Sequence, residues 1–129
     1  MSMTRLNKRA VLAHLQRSAR QVVNDLVVVV AQGVTQDAPR DTEFLAETVE
    51  AIGMGEAGQA PKVEQRRSQR TRESVTRVSH QAPHLGADTA ALHVAADYAT
   101  QAEIREPFIW PNVEAAAQAL PGVVAKRRV

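Results

Sequence analysis

The sequence predicts an α+β fold: a long N-terminal helix packed on a small antiparallel sheet, with a short second helix and a C-terminal helix. Three observations carry this expectation. Leu12, Leu15, Ala19, Val22, Leu26 and Val29 recur at spacings of three and four, the repeat of one helix face. SVTRVSH and AALHVAA are β-branched or alternating and flank a loop containing Pro83 and Gly86. Pro111 precedes an alanine-rich stretch in the manner of a first helical residue.

The apolar stripe predicts a helix over residues 4–32, with Thr4 as N-cap and Gly33 as its stop. Arg17, Arg20 and Asp25 fall off the stripe. Residues 27–30 are four valines, which favour β structure and weaken the last turn. The repeat is close to a heptad, so the stripe suits either a coiled-coil seam or a helix lying across a sheet; the mixed composition of elements favours the sheet.

Pro39 closes the connection that follows, and Asp41 or Thr42 is placed to cap a short helix over 43–48. GMGEAGQAPK reads as a loop tip. VEQRRSQRTRE is charge-dense and offers nothing to bury, so residues 62–73 are expected as a flexible arm, either an exposed hairpin or disordered. Segments 74–80 and 90–96 are expected as neighbouring antiparallel strands joined by the 83–88 loop. The last helix spans 111–120 and stops at Pro121-Gly122, leaving 122–129 as a basic, mobile tail.

At 129 residues the chain suits one domain. Its apolar residues are mostly Ala and Val, which bury little area each, so the core is thin and oligomerisation is expected to complete it. Sixteen basic residues against 14 acidic give a net charge of +2, too balanced to argue for nucleic acid from bulk charge. The absence of cysteine excludes disulfides, thiolate zinc sites and thiol nucleophiles. The longest apolar run, 26–31, is far short of a bilayer span, and the charged N-terminus lacks a signal-peptide core. A soluble intracellular protein without membrane contact is expected.

Gly53, Gly55 and Gly58 match the spacing of a dinucleotide fingerprint, but Pro61 and an Arg/Gln run follow where a helix is required; a glycine-rich turn is the better reading. His80 and His84 have zinc-ligand spacing, but Pro83 breaks the helical turn it needs. His14 and His93 have no evident partner. Asp97, Glu103 and Glu106 lie close in sequence without a nucleophile or pocket-forming context, so no enzyme and no cofactor are expected. Arg66, Arg67, Arg70 and Arg72, with Lys62, form the one basic cluster. It could touch phosphate, yet it has no interleaved aromatic to stack on bases. A small nucleic-acid-binding or regulatory protein using this cluster is the alternative reading.

The chain has one Trp, one Tyr and two Phe, and Tyr98, Phe108 and Trp110 all fall in ADYATQAEIREPFIWPNVEAAAQAL. Pro107 and Pro111 stiffen this approach to the last helix. In an extended segment Phe108 and Trp110 would face one way and Ile109 the other, so that one side closes the core and the other anchors a neighbour. Core anchoring alone explains them equally well.

DAPRDTEFLAETV after a long first helix, LHVAADYATQAEI, and EPFIWPNVEAAAQAL resemble, in that order, the neck and tail-component proteins of long-tailed phages, small head–tail joining proteins. These carry a Pro-x-Asp-Thr-Gly turn before a short helix, a strand ending in Tyr-Ala followed by Glu, and a Pro-Phe-Leu-x-Pro-Ala start to the last helix. Pro39, Asp41 and Thr42 match the first, Tyr98, Ala99 and Glu103 the second, and Pro107, Phe108 and Pro111 the third. Glu43 stands where the family has glycine, and Ile104-Arg105-Glu106 replaces the usual Phe-Gly-Thr. The resemblance implies a virion structural protein of the head–tail junction, present in the host cytoplasm during assembly. Its implied partners are further copies in a ring, the portal-side connector, and tail-tube or tail-terminator subunits, with non-specific contact to passing DNA. Tyr98, Glu103, Phe108 and Trp110 are then the interface candidates, and Arg66, Arg67, Arg70 and Arg72 the arm contacts.

Overall fold

The computed structural model describes residues 3–126, with side-chain surroundings for 8–122. The element order is α1 (Met3–Asp37), α2 (Phe44–Glu47), β1 (Val49–Ile52), β2 (Val63–Arg67), β3 (Ser74–Val78), β4 (Ala91–Val94), α3 (Ala99–Arg105) and α4 (Trp110–Lys126). This is the α+β class expected, with the long helix packed on β1 and β4.

α1 does not stop at Gly33 but runs to Asp37. Ala38 precedes Pro39, and a residue before proline is pushed out of helical geometry. Inside the helix Gly33 faces α4, and a Cβ there would meet the Asn112 side chain, which would have to move. Burial follows Val22, Val30, Val34 and Ala38, a four-residue step that drifts away from the expected stripe. Val29, assigned to the buried face, is 60% exposed, and Leu12 and Leu15 are both 57% exposed. Thr4, the expected N-cap, lies inside the helix, which is already formed at Met3; its side chain lies outside the described residues.

The core gathers Val30, Val34 and Ala38 with Phe44, Leu45, Ala46, Ala96, Ala99 and Phe108. α2 is shorter than expected, and neither Asp41 nor Thr42 caps it. Glu43 is its N-cap, with φ 66 and no side-chain bond to the helix.

Two antiparallel pairs replace the expected pairing of neighbours. β1 pairs with β4, placing Glu50 opposite His93 and Ile52 opposite Ala91. β2 pairs with β3, placing Val63 opposite Val78 and Arg67 opposite Ser74. The two expected neighbours, 74–80 and 90–96, meet only at the bridge from Ser79 to Ala96, flanked by His80 N–H to Ala95 O and Asp97 N–H to Val78 O. Segment 62–73 is therefore built into strand β2 and a hydrogen-bonded turn. α3 and β1 were not expected.

α4 begins at Trp110 and passes through Pro121 and Gly122 to Lys126. Pro121 removes the donor to the carbonyl of Ala117, four residues back, and both residues are exposed. Of the expected mobile tail, residues 127–129 lie outside the described residues.

Candidate interaction surface

The first turn of α4 exposes backbone donors, and residues 108–110 contain no Ser, Thr, Asp or Asn to accept them. The acceptor comes from α3. Glu103 Oε2 accepts the N–H of Phe108 at 2.8 Å and of Ile109 at 2.7 Å, and Oε1 accepts that of Trp110 at 3.0 Å. Burial works to raise the Glu103 pKa, but the three donors outweigh it and hold the carboxyl below its ordinary value.

This knot separates the two aromatics that an extended segment would have put on one face. Phe108 is 1% exposed in the core, whereas Trp110 is 61% exposed at the start of a helix. The alternation fails because the chain turns at 108–110 instead of running extended. Ile109 packs partly against the core. Ile104, next to Glu103, is 78% exposed. Asn112 locks the other side, with Nδ2 donating to Phe108 O at 2.7 Å and to Asp37 Oδ2 at 2.9 Å.

Tyr98 is half-buried beneath the Arg77 guanidinium, whose carbon lies 4.4 Å from the ring centroid. Arg77 Nε is buried without a hydrogen-bond partner among the described residues, while Nη2 lies 3.8 Å from Asp41. Beside them opens a groove of about 750 Å³ lined by Pro39, Asp41, Tyr98, Ala102, Arg105 and Glu106, among others.

Asp41, expected at a helix cap, instead holds the β2–β3 turn. Its carboxylate accepts Ser68 Oγ–H at 2.8 Å and the Arg70 N–H at 3.0 Å, and these bonds depress its pKa, the serine contributing most. The turn also contains Arg72 at φ 62.

Of the four arginines expected as arm contacts, Arg66 is committed within the fold. Its guanidinium donates to Glu47 at 3.1 and 2.5 Å, pairs with Glu64, and sits 5.6 Å over the Phe44 ring. The hydrogen bonds from Arg66 lower the Glu47 pKa. Arg67, Arg70 and Arg72 are exposed around the turn and are not gathered with the aromatics other than by Arg70 lining the groove.

His93, without an evident partner in the sequence, has Nδ1 at 2.7 Å from Glu50 Oε1 across the β1–β4 ladder. Only the pairing of β4 with β1, a nonlocal fact, brings them together. Among the described residues no group of acidic, histidine or cysteine side chains could hold a metal ion, and no helix is long and apolar enough to cross a membrane. Gly53, Gly55 and Gly58 lie in the loop after β1, with Glu56 accepting the Gly53 N–H at 3.2 Å and no helix following. Comparison of the chain with protein-family models, with curated proteins and with solved structures finds no match.

Proposed function

We propose that the chain is a structural subunit of the head–tail junction of a phage-like particle, assembling into a ring between the portal-side connector and the tail tube. The observation that carries this reading is the meeting in space of the three segments that resemble neck proteins. Pro39 and Asp41 from the first, Tyr98 and Ala102 from the second, and Glu106 at the edge of the third line one groove. Glu103 of the second segment holds the backbone of Phe108, Ile109 and Trp110 in the third.

Glu43 adds support. It occupies the position where neck proteins have glycine, and its φ of 66 is the left-handed geometry that glycine adopts without strain. The departure in residue type therefore leaves the turn itself in place. The subunit's work is assembly, and its location is the virion, with the host cytoplasm as the place of assembly. Exposed Arg67, Arg70 and Arg72 suit weak, non-specific contact with passing DNA.

The test is deletion of the gene in the source particle, with lysates viewed by electron microscopy. The reading expects filled heads and free tails that do not join, with joining restored by the gene in trans. Normal yields of joined particles would overturn it.

A further inference from the structure

β2 is an edge strand with one side of its backbone unpaired. Ser79 N–H donates to Lys62 O and Ser68 N–H to Glu73 O, so the even-numbered residues from 62 to 68 are the ones that exchange hydrogen bonds with β3. The N–H and C=O groups of Val63, Gln65 and Arg67 therefore point away from β3. No third strand joins this sheet, and among the described residues nothing bonds to those groups. Their side chains are exposed as well, Val63 at 71%. An edge of this kind is a template for another strand.

The charges along β2 select the strand that fits it. Glu64 and Arg66 share the face turned to the body, where Arg66 lies over Phe44 and binds Glu47. The antiparallel registers with a second β2 that pair most of the outward groups are centred on Glu64, Gln65 or Arg66. Centring on Glu64 sets Glu64 against Glu64 and Lys62 against Arg66; centring on Arg66 sets Arg66 against Arg66. Centring on Gln65 sets each Glu64 against the Arg66 of the other copy, and each Val63 against an Arg67 whose stem covers it. Parallel strands in register would set every charge beside its own equivalent. Pro61 has no N–H, and Gln69 N–H is taken by Asp41 O, so the pairing ends on either side of 63–67.

We infer that two copies of the free subunit pair β2 to β2, antiparallel about Gln65, into one four-stranded sheet in the order β3–β2–β2–β3. Every outward donor and acceptor of Val63, Gln65 and Arg67 then finds a partner. Each copy already pairs its own Glu64 with Arg66, so carboxylates and guanidiniums alternate across the seam. The contact is isologous and closes at two copies. It caps the edge of the subunit before assembly, leaves the ring to other surfaces, and does not rest on the head–tail reading.

The chain has no cysteine, so disulfide trapping starts from a silent background. Full-length Val63→Cys, Gln65→Cys and Arg67→Cys proteins are oxidised alone and in pairs, and native mass spectrometry is run on the unmodified chain and on Gln65→Pro. Facing residues in this register have Cα atoms about 5.5 Å apart, within disulfide reach, whereas the two Val63 positions are about 14 Å apart. The inference expects a dimer of the unmodified chain, disulfide dimers from Gln65→Cys alone and from Val63→Cys mixed with Arg67→Cys, and none from Val63→Cys alone. Gln65→Pro removes an outward donor without touching the β2–β3 ladder, so it should keep the circular dichroism of the parent and be monomeric. A parent that stays monomeric at every concentration, a dimeric Gln65→Pro, or disulfides from Val63→Cys alone would overturn the inference. Larger rings without a 65–65 disulfide would overturn this contact and leave the head–tail reading standing.

Discussion

Glu103 accepts the backbone N–H of Phe108 at 2.8 Å, and this bond joins the α3 helix to the most deeply buried aromatic of the C-terminal segment. The same carboxylate serves Ile109 and Trp110. One side chain thus decides where α4 starts, and with it that Phe108 goes inward and Trp110 outward.

Removing this acceptor leaves three donors without a partner, two of them part-buried. Glu103→Ala is expected to destabilise the fold by about 2–3 kcal/mol and Glu103→Gln by about 1 kcal/mol, in chemical denaturation. Equal stability of all three proteins would refute the knot.

The same contact predicts a pH dependence. The folded-state pKa of Glu103 is depressed from its ordinary 4.5, so its contribution is fully present above that value and fades as pH falls through the folded value. Asp41 and Glu47 are depressed likewise and act in the same direction. Stability should therefore fall with acidification below about pH 4.5, and Glu103→Gln should show a shallower fall. An unchanged slope in that variant would contradict the assignment.

Gly33 faces Asn112, whose amide is fixed by Phe108 O and Asp37. Gly33→Ala gains about 1 kcal/mol of helix propensity but forces Asn112 out, a clash of about 1–3 kcal/mol, so the variant is expected to be neutral to destabilised. In an Asn112→Ala background the clash is gone and the same substitution should stabilise by about 0.5–1 kcal/mol. Thermal melts of the four proteins give the coupling.

Glu43 holds a left-handed backbone that costs a side-chain-bearing residue on the order of 1 kcal/mol. Glu43→Gly and Glu43→Ala both lose the exposed pair with Arg40, so their comparison isolates the backbone. The glycine variant should be the more stable by about 1 kcal/mol. A more stable alanine variant would contradict the geometry of the turn.

Arg66 sits in a fork between Glu47 and Glu64 that a lysine cannot reproduce. Glu47 is about half exposed, so a double-mutant cycle of Arg66→Ala with Glu47→Ala should give a coupling of only about 0.5–1 kcal/mol. Arg66→Lys should recover less than half of it.

The periodic signals were legible where packing is local. Val22 and Leu26 mark the face of α1, and Pro111 marks the start of α4 within a residue. What was not legible depends on distant partners. β1 is four residues long and follows a helix-forming run, and only β4 makes it a strand. Gly33 looks like a helix stop until Asn112 is placed against it. Arg66 looks like its exposed neighbours until α2 brings Glu47 and Phe44 beneath it. Glu103 had one readable sign: the absence of a capping side chain at 108–110 requires an acceptor from elsewhere.

The most direct test of the central claim is quantitative mass spectrometry of purified particles, comparing the abundance of this chain with that of the portal subunit. A subunit of the head–tail junction should appear at a fixed ring-to-ring ratio to the portal, the same in every preparation and retained through high-salt washing. Its absence from intact particles would contradict the account.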